Sequence, residues 1–350
     1  MAMIGSAETG QPTINDVAAH AGVSKKTVSR VINGSPLLTD ATRAKVKQSI
    51  EALGFVPNPQ ARALAFGRNF MIVLLHDNPN AQTVLNFQSG ILQAIGNTDL
   101  ALAVRPVDRS SPAMLDDIRE FLEKQRPLGV LLLPPISEND DIARLCTAQG
   151  VRYVRVGSAV LDDADHCVAS NDREMVAAAC RSLIAAGHRS IGFVRGPAGF
   201  RSALERETGF RDAIAEAGIR HDPALVFQGN YRFRSGQDAG RALLAVTPPP
   251  TAILASNDEM AAGLLYVALE RGIKVPQELS IIGFDDSPTA SHIWPALSTV
   301  RWPILEMGEL AARKLVRDFL PGEDKADLPV TLNSTFIERD SVAPPQPSRT

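Results

Sequence analysis

The chain has 350 residues, enough for two or three domains, and its 45% hydrophobic and 21% charged residues are ordinary for a globular protein. That balance argues against a disordered or collagen-like chain, and the lack of any apolar run of about 18 residues argues against a membrane span. The net charge of −3 conceals an asymmetry: residues 13–68 carry eight Lys and Arg against three acids, a surplus of five, so the remainder holds an excess of eight acids. A basic module joined to an acidic body is the distribution expected of a DNA binder with a separate sensing domain.

Residues 1–12, MAMIGSAETGQP, show no basic-plus-apolar targeting pattern and read as a disordered leader, so the expected compartment is the cytoplasm, at the nucleoid. Residues 13–33, TINDVAAHAGVSKKTVSRVIN, read as two short helices around a tight turn. Ile14, Val17, Ala18 and Ala21 share one helical face. Gly22 permits the reversal, Val23 plugs the corner and Ser24 stands where an N-cap belongs. Val28, Val31 and Ile32 turn the second helix inward, which sends Lys25, Lys26, Ser29 and Arg30 outward. Two lysines in a first helical turn oppose the helix dipole, an arrangement that suits a waiting anion better than plain stability. The pattern is a helix-turn-helix, whose second helix enters a DNA major groove.

Thr39 is a plausible cap for a third helix with Val46, Ile50 and Leu53 inward, ended by Gly54, and Phe55 with Val56 is expected to close this small core. Pro57-Asn58-Pro59 interrupts the chain, and the Ala-rich segment 60–66 is too short to hold a helix alone. From Phe70 apolar runs at 71–75, 100–104, 129–133, 151–156, 191–194, 252–255 and 280–284 alternate with helical stretches at 81–96, 114–125, 174–186, 203–217, 235–245, 260–271 and 304–319. Short buried strands alternating with helices imply doubly wound parallel sheets, and their number suits two lobes with a cleft between them. The ending SVAPPQPSRT, residues 341–350, is Pro-rich and reads as a disordered tail.

The run DVA…AGVS…TVSRVIN, the later GFVPN and the ARALA segment resemble the headpiece of the LacI/GalR family of bacterial transcription regulators. The resemblance divides the chain into a helix-turn-helix domain at 13–57, a hinge helix at 58–68 and a two-lobed ligand-binding and dimerisation domain at 69–340. The fold class is then α/β, with lobes like those of periplasmic sugar-binding proteins and chain crossings near 169–172, 298–303 and 330. Candidate DNA-contacting residues are Thr13, Ile14, Ser24, Lys25, Lys26, Thr27, Ser29, Arg30, Asn33, Thr39, Ala61 and Leu64. In the family the Leu64 position wedges into the minor groove. An ordinary linker with one exposed leucine is the competing reading of that segment.

Open α/β sheets bind ligands beyond the carboxyl ends of their strands. Those places hold Asp77 and Asn78 after MIVLLH, Ser202 and Arg206 in GPAGFRSALER, Asn257 in ASNDEMA and Asp285 in IIGFDD. The family match puts Asn257 and Asp285 on sugar hydroxyls with Arg206 beside them; amide, carboxylate and guanidinium suit such paired contacts. Each of these residues, together with Asp258 and Asp286, can instead cap a helix or brace a loop. Trp302, at an expected crossing, offers a floor for a sugar ring or a buried core wall, and Tyr231 matches a family position facing ligand; Phe233 is a weaker candidate. The sequence departs from the family after VRYVRVGS, where Gly157 or Ser158 replaces a frequent acid, and Arg155 within the strand is unusual.

No GxGxxG, P-loop, GxSxG or HExxH is present, and the six histidines are scattered, His188 at a structural turn. No catalytic residue, metal set or cofactor is expected; Cys146, Cys167 and Cys180 lack metal or redox spacing and read as buried thiols. The expected partners are a near-palindromic double-stranded DNA operator, a small carbohydrate effector and a second copy of the chain, without membrane. The rival readings are a purine effector on the same fold, a plain solute-binding protein and a sugar-processing enzyme.

Overall fold

The computed structural model describes residues 12–32, 37–56, 69–317, 319 and 328–346. The expected hinge at 58–68, with Ala61 and Leu64, and Asn33 lie outside the described residues, as do nearly all of the leader and the end of the tail.

Three helices form the N-terminal unit: α1 (Ile14–His20), α2 (Lys25–Ile32) and α3 (Asp40–Leu53). Val17, Val28 and Val46, one from each helix, are fully buried and meet in one small core. The ends follow local chemistry. Thr39 caps α3 by accepting from the Thr42 N–H, and Gly54 ends it in the left-handed region at φ 62°. Phe55 packs on the core, but Val56 is 81% exposed and does not close it. Successive residues of an extended segment point opposite ways, so burying Phe55 sends Val56 outward.

The first lobe is a parallel sheet in the order β11 (Thr331–Leu332), β5 (Cys167–Ser170), β4 (Arg152–Gly157), β3 (Gly129–Leu132), β1 (Met71–His76), β2 (Ala101–Pro106). Ile72 and Leu74 face α4 (Ala81–Ile95) and α12 (Ile304–Val316), while Val73 and Leu75 face α5 (Met114–Gln125) and α6 (Asp140–Ala148). Central strands buried on both faces explain why residues 71–75, MIVLL, are an unbroken apolar run. Gly90 and Gly308 let α4 and α12 touch backbone to backbone, since a Cβ at either would run into the other helix.

The second lobe is a parallel sheet in the order β7 (Val226–Gln228), β6 (Ile191–Arg195), β8 (Ala252–Ala255), β9 (Ser280–Ile282). Its helices are α7 (Asp172–Ala185), α8 (Arg201–Glu216), α9 (Phe233–Leu243) and α10 (Asp258–Glu270); a short α11 (Pro288–His292) follows. β10 (Thr299–Arg301) pairs antiparallel with β12 (Thr335–Ile337). The chain passes between lobes after β5, after β10 and between β11 and β12.

The tail is a correction. Ser341 is fully buried; its hydroxyl donates to the Ile281 carbonyl at 2.6 Å and accepts from the Ser298 N–H at 2.8 Å. Ala343 exchanges hydrogen bonds with Ser280 and accepts from His188 at 2.9 Å. Proline removes donors but not carbonyls, so this stretch seals the second lobe through its Ser and Ala backbone. His188, with Thr251 on its other nitrogen, is held as a brace, and burial lowers its pKa. Among the described residues no helix is long and apolar enough to cross a membrane.

Candidate nucleic-acid interface and ligand cleft

On α2 the cap and the outward face are built from adjacent positions. Ser24 Oγ accepts from the Thr27 N–H at 3.1 Å and pairs with the Thr27 hydroxyl at 2.9 Å, so both residues anchor the turn. Gly22 takes φ 56°, the left-handed reversal that any Cβ would strain. Lys25, Lys26 and Arg30 are exposed along one side, and Ser29 is half-buried beside them. Thr13 binds Asp16, whose carboxylate accepts from both its N–H and its hydroxyl, and Ile14 packs into the core. Thr39 is taken up by its cap. Among the described residues Lys25, Lys26 and Arg30 have no hydrogen-bond or ion-pair partner, and they form a short basic ridge on the three-helix unit.

Between the lobes lies a crevice lined by Asn78, Asn80, Thr83, Pro134 and Ser158 from the first and by Phe200, Ser202, Arg206, Tyr231, Asn257, Asp285 and Trp302. Its position is the point where strand order reverses in each sheet, beyond β1 and β3 on one side and β6 and β8 on the other. The gap is narrow and walled by side chains of both lobes.

Arg206 dominates its chemistry. The residue is 3% exposed; Nε donates to Asp172 at 2.8 Å and Nη1 to the Ser256 carbonyl at 2.6 Å. Its guanidinium lies 3.5 Å from the Phe284 ring centre and 3.8 Å from Asp285 Oδ1. Burial works against this charge, but Asp172, Tyr231 and Asp285 outweigh it and raise the pKa. Asp285 is different: among the described residues no side-chain hydrogen bond reaches its carboxylate, and burial pushes its pKa well up against the pull of Arg206. Tyr231 pairs its hydroxyl with Ser202 at 3.1 Å, and the ring fits only because residue 196 is glycine. Tyr231, Asp285 and Asp286 adopt φ of 64°, 109° and 52°, strained values for residues with side chains.

Asn257 faces the crevice with its amide already engaged: Oδ1 caps α10 at the Met260 N–H and Nδ2 donates to the Tyr231 carbonyl. Asn78 is held likewise, by the Pro134 carbonyl and the Asn80 N–H. Trp302 Nε1 donates to Ser170 at 3.0 Å, and Ser170 donates to Asp172 at 2.6 Å. Asn171 Oδ1 accepts from the Ser334 N–H at 2.8 Å. Residues 170–172 thus tie all three lobe crossings to Arg206 and Trp302.

Seven of the eight expected ligand residues share this crevice. Asp77 does not: its carboxylate accompanies Arg109 at 3.5 Å, because the chain turns after β1 and presents Asn78 and Asn80 inward instead. Asp258 and Asp286 are structural, the first held by Thr299 and the Ser287 N–H, the second clamped by Arg301 and Arg339. Arg155 is likewise a brace, reaching Asp140 and the carbonyls of Ser137 and Leu161. Phe233 stands 41% exposed, outside the crevice lining, against Tyr266. Asn80, Thr83, Pro134, Phe200 and Asp172 were not expected at the site; Asn80 alone had a sequence signal, as the cap of α4 just past a strand end.

A rigid basic helix-turn-helix and a two-lobed α/β body with a polar, aromatic-walled cleft define a DNA-binding regulator with a small-molecule sensing domain. Residues 13–58 match the family described as bacterial regulatory proteins, lacI family, and residues 180–342 match the periplasmic binding protein-like domain. The chain is 34% identical over 340 residues to the transcriptional regulator CelR of Thermobifida fusca, covering 95% of this chain and 98% of the relative. It is 32% identical to GalR of Escherichia coli K12, covering 95% and 96%. A solved CelR–cellobiose complex superposes with a TM-score of 0.68 at 31% identity, over 94% of this chain and 99% of that one. The lac repressor dimer bound to operator and an anti-inducer has the same fold, with a TM-score of 0.75 at 23% identity over 95% and 100%. The chain belongs to the lacI family of bacterial regulatory proteins and is a DNA-binding transcriptional regulator.

Proposed function

We propose that this regulator binds a near-palindromic operator as a homodimer, through Lys25, Lys26 and Arg30, and that a neutral carbohydrate in the interlobe cleft sets its DNA affinity. The observation that carries the effector reading is Asp285, a half-buried carboxylate with no hydrogen-bond donor among the described residues, beside Arg206 and between aromatic walls. A carboxylate acceptor, a guanidinium donor and the faces of Trp302, Tyr231 and Phe200 suit the hydroxyls and apolar faces of a sugar ring. Asp172 already neutralises Arg206, the one cation among the described residues of the crevice lining, so an anionic ligand would meet no unpaired positive charge there. The complex of CelR with cellobiose supports the same class of ligand. No catalytic role is assigned to any residue.

The test is calorimetry of the full-length protein with cellobiose and other neutral sugars, set against glucose 6-phosphate, glucuronate and purine bases. Asp285→Asn keeps the volume and removes the charge-assisted acceptor, a loss of roughly 1.5–3 kcal/mol or about 10- to 150-fold in affinity. Operator binding without sugar should stay unchanged. Binding confined to the anionic sugars or purines, or an Asp285→Asn affinity equal to wild type, rejects the reading.

A further inference from the structure

The first lobe sends a carboxylate across the cleft mouth. Glu138 ends the 3-10 turn Ile136–Glu138 that follows β3. Its Oε2 accepts from the Arg201 N–H at 2.8 Å. Arg201 opens α8, the second-lobe helix that carries Ser202 and Arg206. Phe200, at the N-cap of α8, supplies no side-chain acceptor, so the opening N–H groups of the helix are satisfied from the opposite lobe. The Ser202 N–H also favours the charged carboxylate, although burial still pushes the Glu138 pKa up. Glu138 Oε1 is buried without a partner among the described residues. A second contact crosses beside it: the Arg109 guanidinium of the first lobe lies 4.4 Å from the Phe200 ring centre. Asp77, displaced from the crevice, steadies Arg109.

We propose that Glu138 and Arg109 form a clasp across the cleft, in which Glu138 is a positioning residue that caps α8 from the other lobe and holds Ser202 and Arg206 against the crevice. A negative group suits the positive end of a sixteen-residue helix, and the stacked arginine covers the ring next to it. Lobes drawn apart lose both contacts at once, and water then takes the exposed N–H groups. Parting the lobes widens the way into the crevice for a sugar-sized ligand, and the clasp sets how often that state is visited. This holds whatever ligand the cleft takes, so its test needs none.

Trp294 and Trp302 are the two tryptophans of the chain, and Trp302 lines the crevice while Trp294 stands exposed. In full-length protein carrying Trp294→Phe, acrylamide quenching of Trp302 fluorescence reports cleft opening directly. Glu138→Ala and Glu138→Lys should raise the quenching constant severalfold, the lysine more, because it places a cation at a helix N-terminus. Glu138→Gln keeps a carbonyl oxygen for the Arg201 N–H and should quench like the parent, and Arg109→Ala should open the cleft partially. Parent-like quenching in both Glu138→Ala and Glu138→Lys overturns the clasp. So does a Gln variant that opens as far as Ala, or a parallel loss of far-UV helical signal, which would make Glu138 a stabiliser of the fold alone.

Discussion

Asp258, buried, and Asp285, half-buried, are acids at neighbouring strand ends, yet their surroundings use them differently. Asp258 accepts from the Thr299 hydroxyl at 2.6 Å and the Ser287 N–H at 2.7 Å, while burial pushes its pKa up to about 6. A folded pKa above the unfolded value means that the native state holds a proton the unfolded chain has released. Stability from this group is therefore complete below about pH 4 and declines as pH rises to about 6, by roughly 3 kcal/mol at most. Asp258→Asn cannot ionise, so urea melts should show the variant gaining on wild type by up to that amount between pH 4 and 7. A stability difference that does not vary with pH would show that Asp258 is already ionised at acid pH. At this scale the sequence locates strand ends but not which side chain turns inward. Asp77 and Asn78 are equivalent in a string, and only the path of the loop sends one to Arg109 and the other to the crevice. Asn257 shows a second limit, since its cap and its loop bond coexist with a place in the cleft wall.

Helix α2 is the element for which sequence and structure agree most closely, because each of its constraints is local: a turn glycine, a Ser cap and a three-valine core. Lys25 and Lys26 lie in its first turn, exposed, with no acid in that turn to offset them. Replacing both with Ala should flatten preference among operator variants, as a bidentate contact to guanine is worth about 1–3 kcal/mol of discrimination. Salt-sensitive, non-specific binding should persist through the remaining phosphate contacts. A double variant that keeps the wild-type ranking of operators in a binding assay would move base readout elsewhere. In the body, the apolar period marks four helices only from 174, 203, 235 and 260, two residues after the structure begins them at Asp172, Arg201, Phe233 and Asp258. The apolar period starts only after the first turn, which is largely polar here and holds residues such as Asp172 and Ser202. Strands β5, β7 and β10 to β12 are short and broken by polar residues, whereas the equally short β3, β8 and β9 sit in longer apolar runs that mark them in the sequence. Helix α6 carries its own local signals: Asn139 caps it, and Ile142, Leu145 and Cys146 are buried at helical spacing.

Over the whole molecule, the question is how a cleft alters a headpiece that lies beyond residues 57–68. The three lobe crossings are stitched at residues 170–172, and the same side chains reach Arg206 and Trp302, so a ligand touching either pulls on the joint between lobes. Beyond that joint the chain leads back to the segment 58–66, which lies outside the described residues. That segment, NPQARALAF, is too short to hold a helix alone, and Leu64 is its only large aliphatic residue. A leucine in such a segment is well used as a wedge between base pairs, where its burial offsets part of the unstacking. On the hinge reading of residues 58–66, two such segments would lie side by side in a minor groove, and a dimer would have to hold them at a fixed separation. A ligand that changes the lobe angle changes that separation and shifts the population able to bind operator specifically. Leu64→Ala should then weaken operator binding by roughly 1–3 kcal/mol and reduce DNA bending. Sugar affinity of the free protein should stay nearly unchanged, because none of the crevice residues is altered. Operator affinity, a circular-permutation bend assay and sugar titration on one preparation separate these effects. Wild-type bending and binding in the variant would leave Leu64 a linker residue and send the coupling through another element, with the headpiece then sensing the lobes directly.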